Sequence, residues 1–140
     1  MFALDTQLEA DTYFVGRFAL SLLLLSKDAN YPWCLLVPQR EDVFEIHHLA
    51  QVDQQQLMWE SCHLAEVMTS VFDADKINVA ALGNQVRQLH LHHIVRFEQD
   101  LAWPNPIWGH VPPKAYSEEL LQDRLQHLRA ALVGEDFDVK

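Results

Sequence analysis

The chain has 140 residues, with 20 acidic side chains against 10 Lys and Arg and a formal charge of −10. That length suits one domain, residues 1–140, with a sizeable buried core. A content of 49% hydrophobic residues, 4 Gly and 6 Pro excludes disordered, collagen-like and low-complexity classes, and the net charge excludes a nucleic-acid polymer bound by broad phosphate neutralisation.

The start, Met1-Phe2-Ala3-Leu4-Asp5, shows no basic stretch ahead of an apolar core. The longest apolar run, Leu20-Ser21-Leu22-Leu23-Leu24-Leu25, falls short of the ~20 residues that span a membrane. The expectation is a cytoplasmic protein with no membrane contact. Cys34 and Cys62 form no CxxC pair and lie in apolar stretches, so both read as small buried thiols.

Phe18 to Ser26 is an apolar run that predicts a strand, closed by the turn Lys27-Asp28-Ala29-Asn30. Trp33 to Val37, between Pro32 and Pro38, predicts a second strand, and the two can pair as a hairpin. Asp53 to Phe72 predicts a long helix, with Asp53 as cap and Gln56 completing a capping box. Leu57, Met58, Cys62, Leu64, Ala65, Met68, Val71 and Phe72 would be its buried stripe. Ile77 to Leu82 and Val86 to Phe97 read as strands, with Gly83-Asn84 between them as a turn.

Trp103 to Pro113 holds four prolines and two tryptophans and cannot be helical. It predicts an ordered loop, either a wall of a site or a packed surface. A last helix starts at its cap Ser117, with Glu118 and Glu119 in the first turn and Leu121, Leu125, Leu128 and Leu132 as its stripe. Tyr116 and Leu121 could form a hydrophobic staple. The order of elements argues for an α+β fold, an antiparallel sheet with helices packed on it. Its core spans about residues 12–100, followed by a loop and helix over 101–140.

Three of the eight His fall within four residues, in Gln88-Leu89-His90-Leu91-His92-His93-Ile94-Val95-Arg96. On a strand, Gln88, His90, His92 and Arg96 share one face, while Leu89, Leu91, His93 and Val95 share the other. No acid stands between Asp75 and Glu98, and Lys76, Arg87 and Arg96 lie in that stretch. It suits a small anion such as the phosphates of one nucleotide. Gly83 lets backbone approach a ligand, and Asn84 and Gln85 can donate to phosphate oxygens. Three readings meet at His90 and His92. One is a surface strand that happens to carry His. A second is a metal site, for which His110, His63, Glu41, His47 and His48 are further ligands by type alone. The third is a nucleophilic imidazole that attacks phosphorus, with a second imidazole beside it.

The stretch from Asn78 to Arg96 resembles the signature of the histidine triad (HIT) family, His-x-His-x-His followed by apolar residues and preceded by a loop with Asn and a Gly-Gln pair. Leu35-Leu36-Val37-Pro38-Gln39-Arg40 is similar to the family's strand ending in Val-Pro-Lys. The resemblance runs from about Phe18 to Phe97. It implies a five-stranded antiparallel sheet with a long helix packed on it and a C-terminal helix, and a homodimer. It also implies hydrolysis or transfer of nucleoside monophosphates, as in dinucleoside polyphosphates or nucleoside phosphoramidates, with no cofactor. His90 falls on the family's nucleophile and His92 on its third His, a phosphate or leaving-group contact. Asn78 and Asn84 would be ligand-binding amides. Gln88 stands in place of the first triad His and can donate a hydrogen bond but carry no charge. Glu41 stands near a position that is often His in the family's hydrolases. These departures prompt a second reading, a nucleotide-binding protein without turnover. The His cluster prompts a third, a metal-binding His protein. Phe14 and Phe18 are candidates for a base pocket by the same resemblance, and Trp33 and Trp59 read as packing.

Overall fold

The first regular element starts at Asp5, whose side chain accepts from the Gln7 amide and caps helix α1 (Thr6–Asp11). There follow strands β1 (Thr12–Phe18), β2 (Ser21–Ser26) and β3 (Trp33–Pro38), helix α2 (Gln51–Phe72), strands β4 (Lys76–Ala80) and β5 (Leu91–Arg96), helix α3 (Glu118–Leu132) and strand β6 (Phe137–Asp138). The structure is a computed structural model and describes residues 1–140. All strands pair antiparallel in one sheet, ordered β4-β5-β3-β2-β1-β6. The α+β architecture is as expected, with six strands in place of five. The added strand, β6, pairs Phe137 with Phe18 on the outer side of β1, and two residues are too few to leave a periodic signal.

The apolar run from Phe18 to Ser26 is not one strand. Phe18 closes β1 and Ser21 opens β2. The break between them carries no Gly or Pro; the buried carboxylate of Glu60 holds it by accepting from the Leu20 amide at 2.9 Å. The predicted hairpin is present, with Leu25 opposite Cys34 and Leu22 opposite Val37.

One face of the sheet carries the main core. Leu23, Leu25, Cys34, Leu36, Leu91 and Val95 meet Leu57, Leu64 and Met68 of α2 and the four stripe leucines of α3. Each leucine so buried contributes roughly 1.5–3 kcal/mol. Helix α2 starts before Asp53, which instead pairs with Arg40 at 2.7 Å. Its buried stripe is narrower than the apolar pattern suggests. Met58 and Cys62 are exposed, whereas Glu60 and Ser61 are buried. The polar pair goes inside because each has a partner there: Glu60 accepts from Leu20 and Gln56, and Ser61 meets His93. Of the two thiols, only Cys34 is buried. Burial pushes it up to about 12, against the charge of Arg124.

The opposite face is covered at its two ends. Phe2, Leu4 and Leu8 lie over Leu24, Leu35 and Val37. Ala102 and Ile107 lie over Tyr31 and Ile94, with Trp33 and Trp108 at their edge. Between these two covers the sheet face stays open. No helix is long and apolar enough to cross a membrane.

Candidate functional site

The gap on the open face is a cleft of about 940 Å³. His90 and His92 form its floor, with Trp33 beside them, residues 82–86 on one side and Trp108 of the 101–115 loop on the other. The rim beyond carries Lys27, Lys114, Asp11 and Asp28.

Strand β5 is shorter than the predicted Val86 to Phe97. It begins at Leu91, and residues 82–90 form a loop. The loop is drawn off the sheet by its own bonds: the Leu89 amide donates to the Val43 carbonyl, and Gln88 turns to the N-terminal segment. Alternation therefore holds only within β5. His92 shares a face with Leu35 of β3 and Ala80 of β4, while His93 pairs with Cys34 on the core side. His93 is fully buried, with its Nδ1–H donating to Leu91 and its Nε2 accepting from the Ser61 hydroxyl. Burial lowers it to about 4, helped by the charge of His92 and opposed by the Leu91 carbonyl.

The hydrogen bonds fix both tautomers at the cleft floor. The Nδ1 of His90 lies 2.8 Å from the carbonyl oxygen of Gln88. A carbonyl only accepts, so Nδ1 carries the proton and Nε2 keeps its lone pair. His92 has the reverse arrangement. Its Nδ1 accepts from the Trp33 indole N–H at 3.0 Å, and its Nε2–H donates to the Leu82 carbonyl at 2.8 Å. Burial lowers His92 to about 4; the Leu82 carbonyl opposes this and the charge of His90 adds to it. The two rings meet edge to face, 4.8 Å apart. Gly83 fits against His90 because it lacks a Cβ, which would lie 2.8 Å from the His90 Cε1 and 2.6 Å from the Val86 carbonyl oxygen.

The remaining residues singled out from the sequence fall into two groups. Asn84 and Gln85 line the cleft. Gln88, Asn78 and Arg96 bond elsewhere. Gln88 accepts from the Asp5 amide at 2.9 Å and donates to the Ala3 carbonyl at 2.9 Å, while Glu41 pairs with the Met1 ammonium. Arg96 is 2% exposed and bonds Asp100 through both nitrogens of one edge, at 2.8 and 3.1 Å. It also donates to the Asn78 side chain and the Asn105 carbonyl. Burial alone would raise Asp100, but Arg96 and the Phe97 and Trp103 amides hold it below the usual carboxylate range. Asn78 and Arg96 thus sit on the face of His92 but under the loop. The cations that do face the cleft, Lys27 and Lys114, lie outside the acid-free stretch and carry no motif. His47 and His48 are exposed, and His127 is exposed on α3. Trp59 stacks on His63, 5.1 Å between centroids, on α2. For the metal reading, no three His, Cys, Asp or Glu side chains gather around one point, and both nitrogens of His92 are already engaged.

The family model for the HIT domain matches residues 7–99. The chain belongs to the histidine triad family. A histidine triad protein from Bradyrhizobium japonicum is 43% identical to this HIT protein, with a TM-score of 0.93 over 94% of this chain and 98% of that one. One from Marinobacter aquaeolei is 47% identical, with a TM-score of 0.92 over 94% and 96% of the two chains. One from Sinorhizobium meliloti is 39% identical, with a TM-score of 0.91 over 94% and 98%. No curated protein matches the HIT chain. In the HIT frame, sequence reasoning missed what Trp33 does. A Trp between Pro32 and Cys34 gives no signal of its bond to His92, which depends on strand register.

Proposed function

We propose that this HIT protein is a nucleotidyl hydrolase or transferase in which His90 is the nucleophile. The observation that carries the reading is the bond from His90 Nδ1–H to the Gln88 carbonyl, which presents the Nε2 lone pair at the floor of a nucleotide-sized cleft. Nε2 would attack the α-phosphorus of a nucleoside polyphosphate or phosphoramidate. The phosphorus–nitrogen bond forms as the bond to the leaving group breaks. The leaving group departs with the electron pair and takes a proton from water. Positive charge then develops on the ring, and the Gln88 carbonyl stabilises it through Nδ1–H. Water attacks phosphorus in the second step and gives up a proton to solvent, which offsets the hydroxide left by the first step. The bond to Nε2 breaks, and nucleoside monophosphate leaves with neutral His90 restored.

Asn84 and Gln85 at the cleft wall are the amides we assign to phosphate oxygens, with Lys27 and Lys114 supplying charge from the rim. Asn78 and Arg96 support the wall from beneath through the bonds described above. A homodimer fits the family and the open edge at β4.

The test is mass spectrometry after mixing with an adenosine phosphoramidate or a dinucleoside polyphosphate. A nucleotidyl adduct on His90, lost with turnover in His90→Ala, is the expected result. Turnover unchanged in His90→Ala would overturn the assignment. Nucleotide binding by calorimetry with no product would favour a binding protein without turnover, the reading that the uncharged Gln88 supports.

A further inference from the structure

Trp33 opens β3, and its strand neighbour two residues on, Leu35, stands opposite His92. The indole thus reaches His92 on the diagonal, with ring centroids 5.6 Å apart and its N–H 3.0 Å from Nδ1. An indole nitrogen donates and never accepts. Opposite it, only a lone pair is tolerated, so the single proton of neutral His92 must sit on Nε2. There it meets the Leu82 carbonyl, which only accepts. The reversed tautomer would place N–H against N–H and lone pair against carbonyl. A doubly protonated ring would still place N–H against the indole. Trp108, 5.1 Å from His92 and 6.1 Å from Trp33, closes the third side of the ring.

The bond to Leu82 has a second effect. Leu82 precedes Gly83, and Gly83 is the residue against which His90 rests. The loop backbone passes close to the His90 ring, since a Cβ on Gly83 would lie 2.8 Å from His90 Cε1, so the position of the loop bears on that ring.

We propose that Trp33 is a positioning residue: its indole N–H locks His92 as the Nε2–H tautomer, and His92 in turn holds the Leu82 carbonyl and the 82–85 loop against the nucleophile. His92 is then a strut and exchanges no proton with the substrate. The proposal deepens the assignment of His90 and rests on it for its kinetic consequence, though the tautomer itself does not depend on turnover. An imidazole, hydroxyl or carboxamide at position 33 could both donate and accept, and would tolerate a proton on Nδ1 of His92. A tryptophan removes that freedom.

The experiment records long-range proton–nitrogen correlation spectra of the imidazoles, with kinetics on the same samples. In the wild-type protein His92 is expected as a single Nε2–H tautomer from about pH 8 down to about pH 5. Trp33→Phe removes the donor, and a benzothienylalanine at position 33, with sulfur in place of the N–H, keeps the ring shape if Phe disturbs packing. Either should free Nδ1 to take a proton while Leu82 still holds Nε2–H, so that His92 becomes doubly protonated at a higher pH than in the wild-type protein. Either should also move the Leu82 and Gly83 amide resonances and lower kcat by about tenfold with KM within about twofold. A wild-type His92 protonated at Nδ1 would overturn the proposal. So would an isostere in which His92 takes its second proton at the same pH as in the wild-type protein, or one that shifts that pH without loss of kcat. If the wild-type protein turns over no nucleotide, the assignment of His90 fails, and the proposal then stands or falls on the tautomer and on the Leu82 and Gly83 resonances.

Discussion

Acidification should destabilise the fold through two adjacent imidazoles, His92 and His93. Burial lowers both to about 4 in the folded protein, whereas a free imidazole titrates near 6.5. The unfolded chain therefore binds more protons between these values, and stability falls as pH falls. Between about pH 7 and about pH 5 each ring loses about 2 kcal/mol, or about 4 kcal/mol for the pair. Against a typical folding stability of 5–15 kcal/mol, that is a large fraction. Asp100 adds nothing in this window. Its depressed carboxyl keeps its contribution above the ordinary carboxylate range and loses it only as pH falls below that. Urea unfolding at constant ionic strength over this window measures the effect, and His93→Gln, which cannot titrate, should remove about half of the slope. A stability that stays flat to within about 0.5 kcal/mol, or a slope that His93→Gln leaves untouched, would refute the reasoning.

Arg96→Ala leaves the Asp100 carboxylate, 5% exposed, without its partner. It should cost about 3–5 kcal/mol in thermal or urea unfolding, and a loss below about 1 kcal/mol would show that the pair does not hold the loop. Gly83→Ala forces the loop away from His90 and should lower turnover by about tenfold or more; unchanged turnover would mean that the contact is not tight. Gln88→Ala removes both bonds to residues 3 and 5. Hydrogen exchange at the Asp5 amide should quicken by about tenfold, and an unchanged rate would place the anchor of that segment elsewhere.

Helix α3 and the β2–β3 hairpin were legible because their signals are local: a Ser cap ahead of leucines at helical spacing, and two apolar runs around a turn. The triad signature, also local, points to a stretch of chain that lines the cleft. What the sequence hid was set at long range. The strand at Val86 was ended by Val43 and by the N-terminal segment, and the break between β1 and β2 was imposed by Glu60 from α2. Arg96 looked free for a phosphate because Asp100, its partner, lies just past the acid-free stretch. At the cleft, the identities of His90 and His92 were readable, but their tautomers were not. Those depend on a backbone carbonyl two residues before His90 and on an indole brought in by β3.

The loop over the cleft is fastened at its two ends, with Ile107 and Trp108 packed on the sheet between them. At one end Asp100 gathers Arg96 and the Phe97, Ala102 and Trp103 amides. At the other, Asp28 accepts from the Lys114 amide, Ala29 donates to the Lys114 carbonyl and Asn30 donates to the Pro112 carbonyl. Both clasps close without His90 or His92. Within the loop Trp108 packs on His92, whereas Gly109 and Val111 line the cleft beyond that contact. A change at these two positions therefore reshapes what the cleft admits while both clasps and the packing on His92 stay as they are. The shape of the cleft mouth can thus vary without disturbing the imidazoles at its floor.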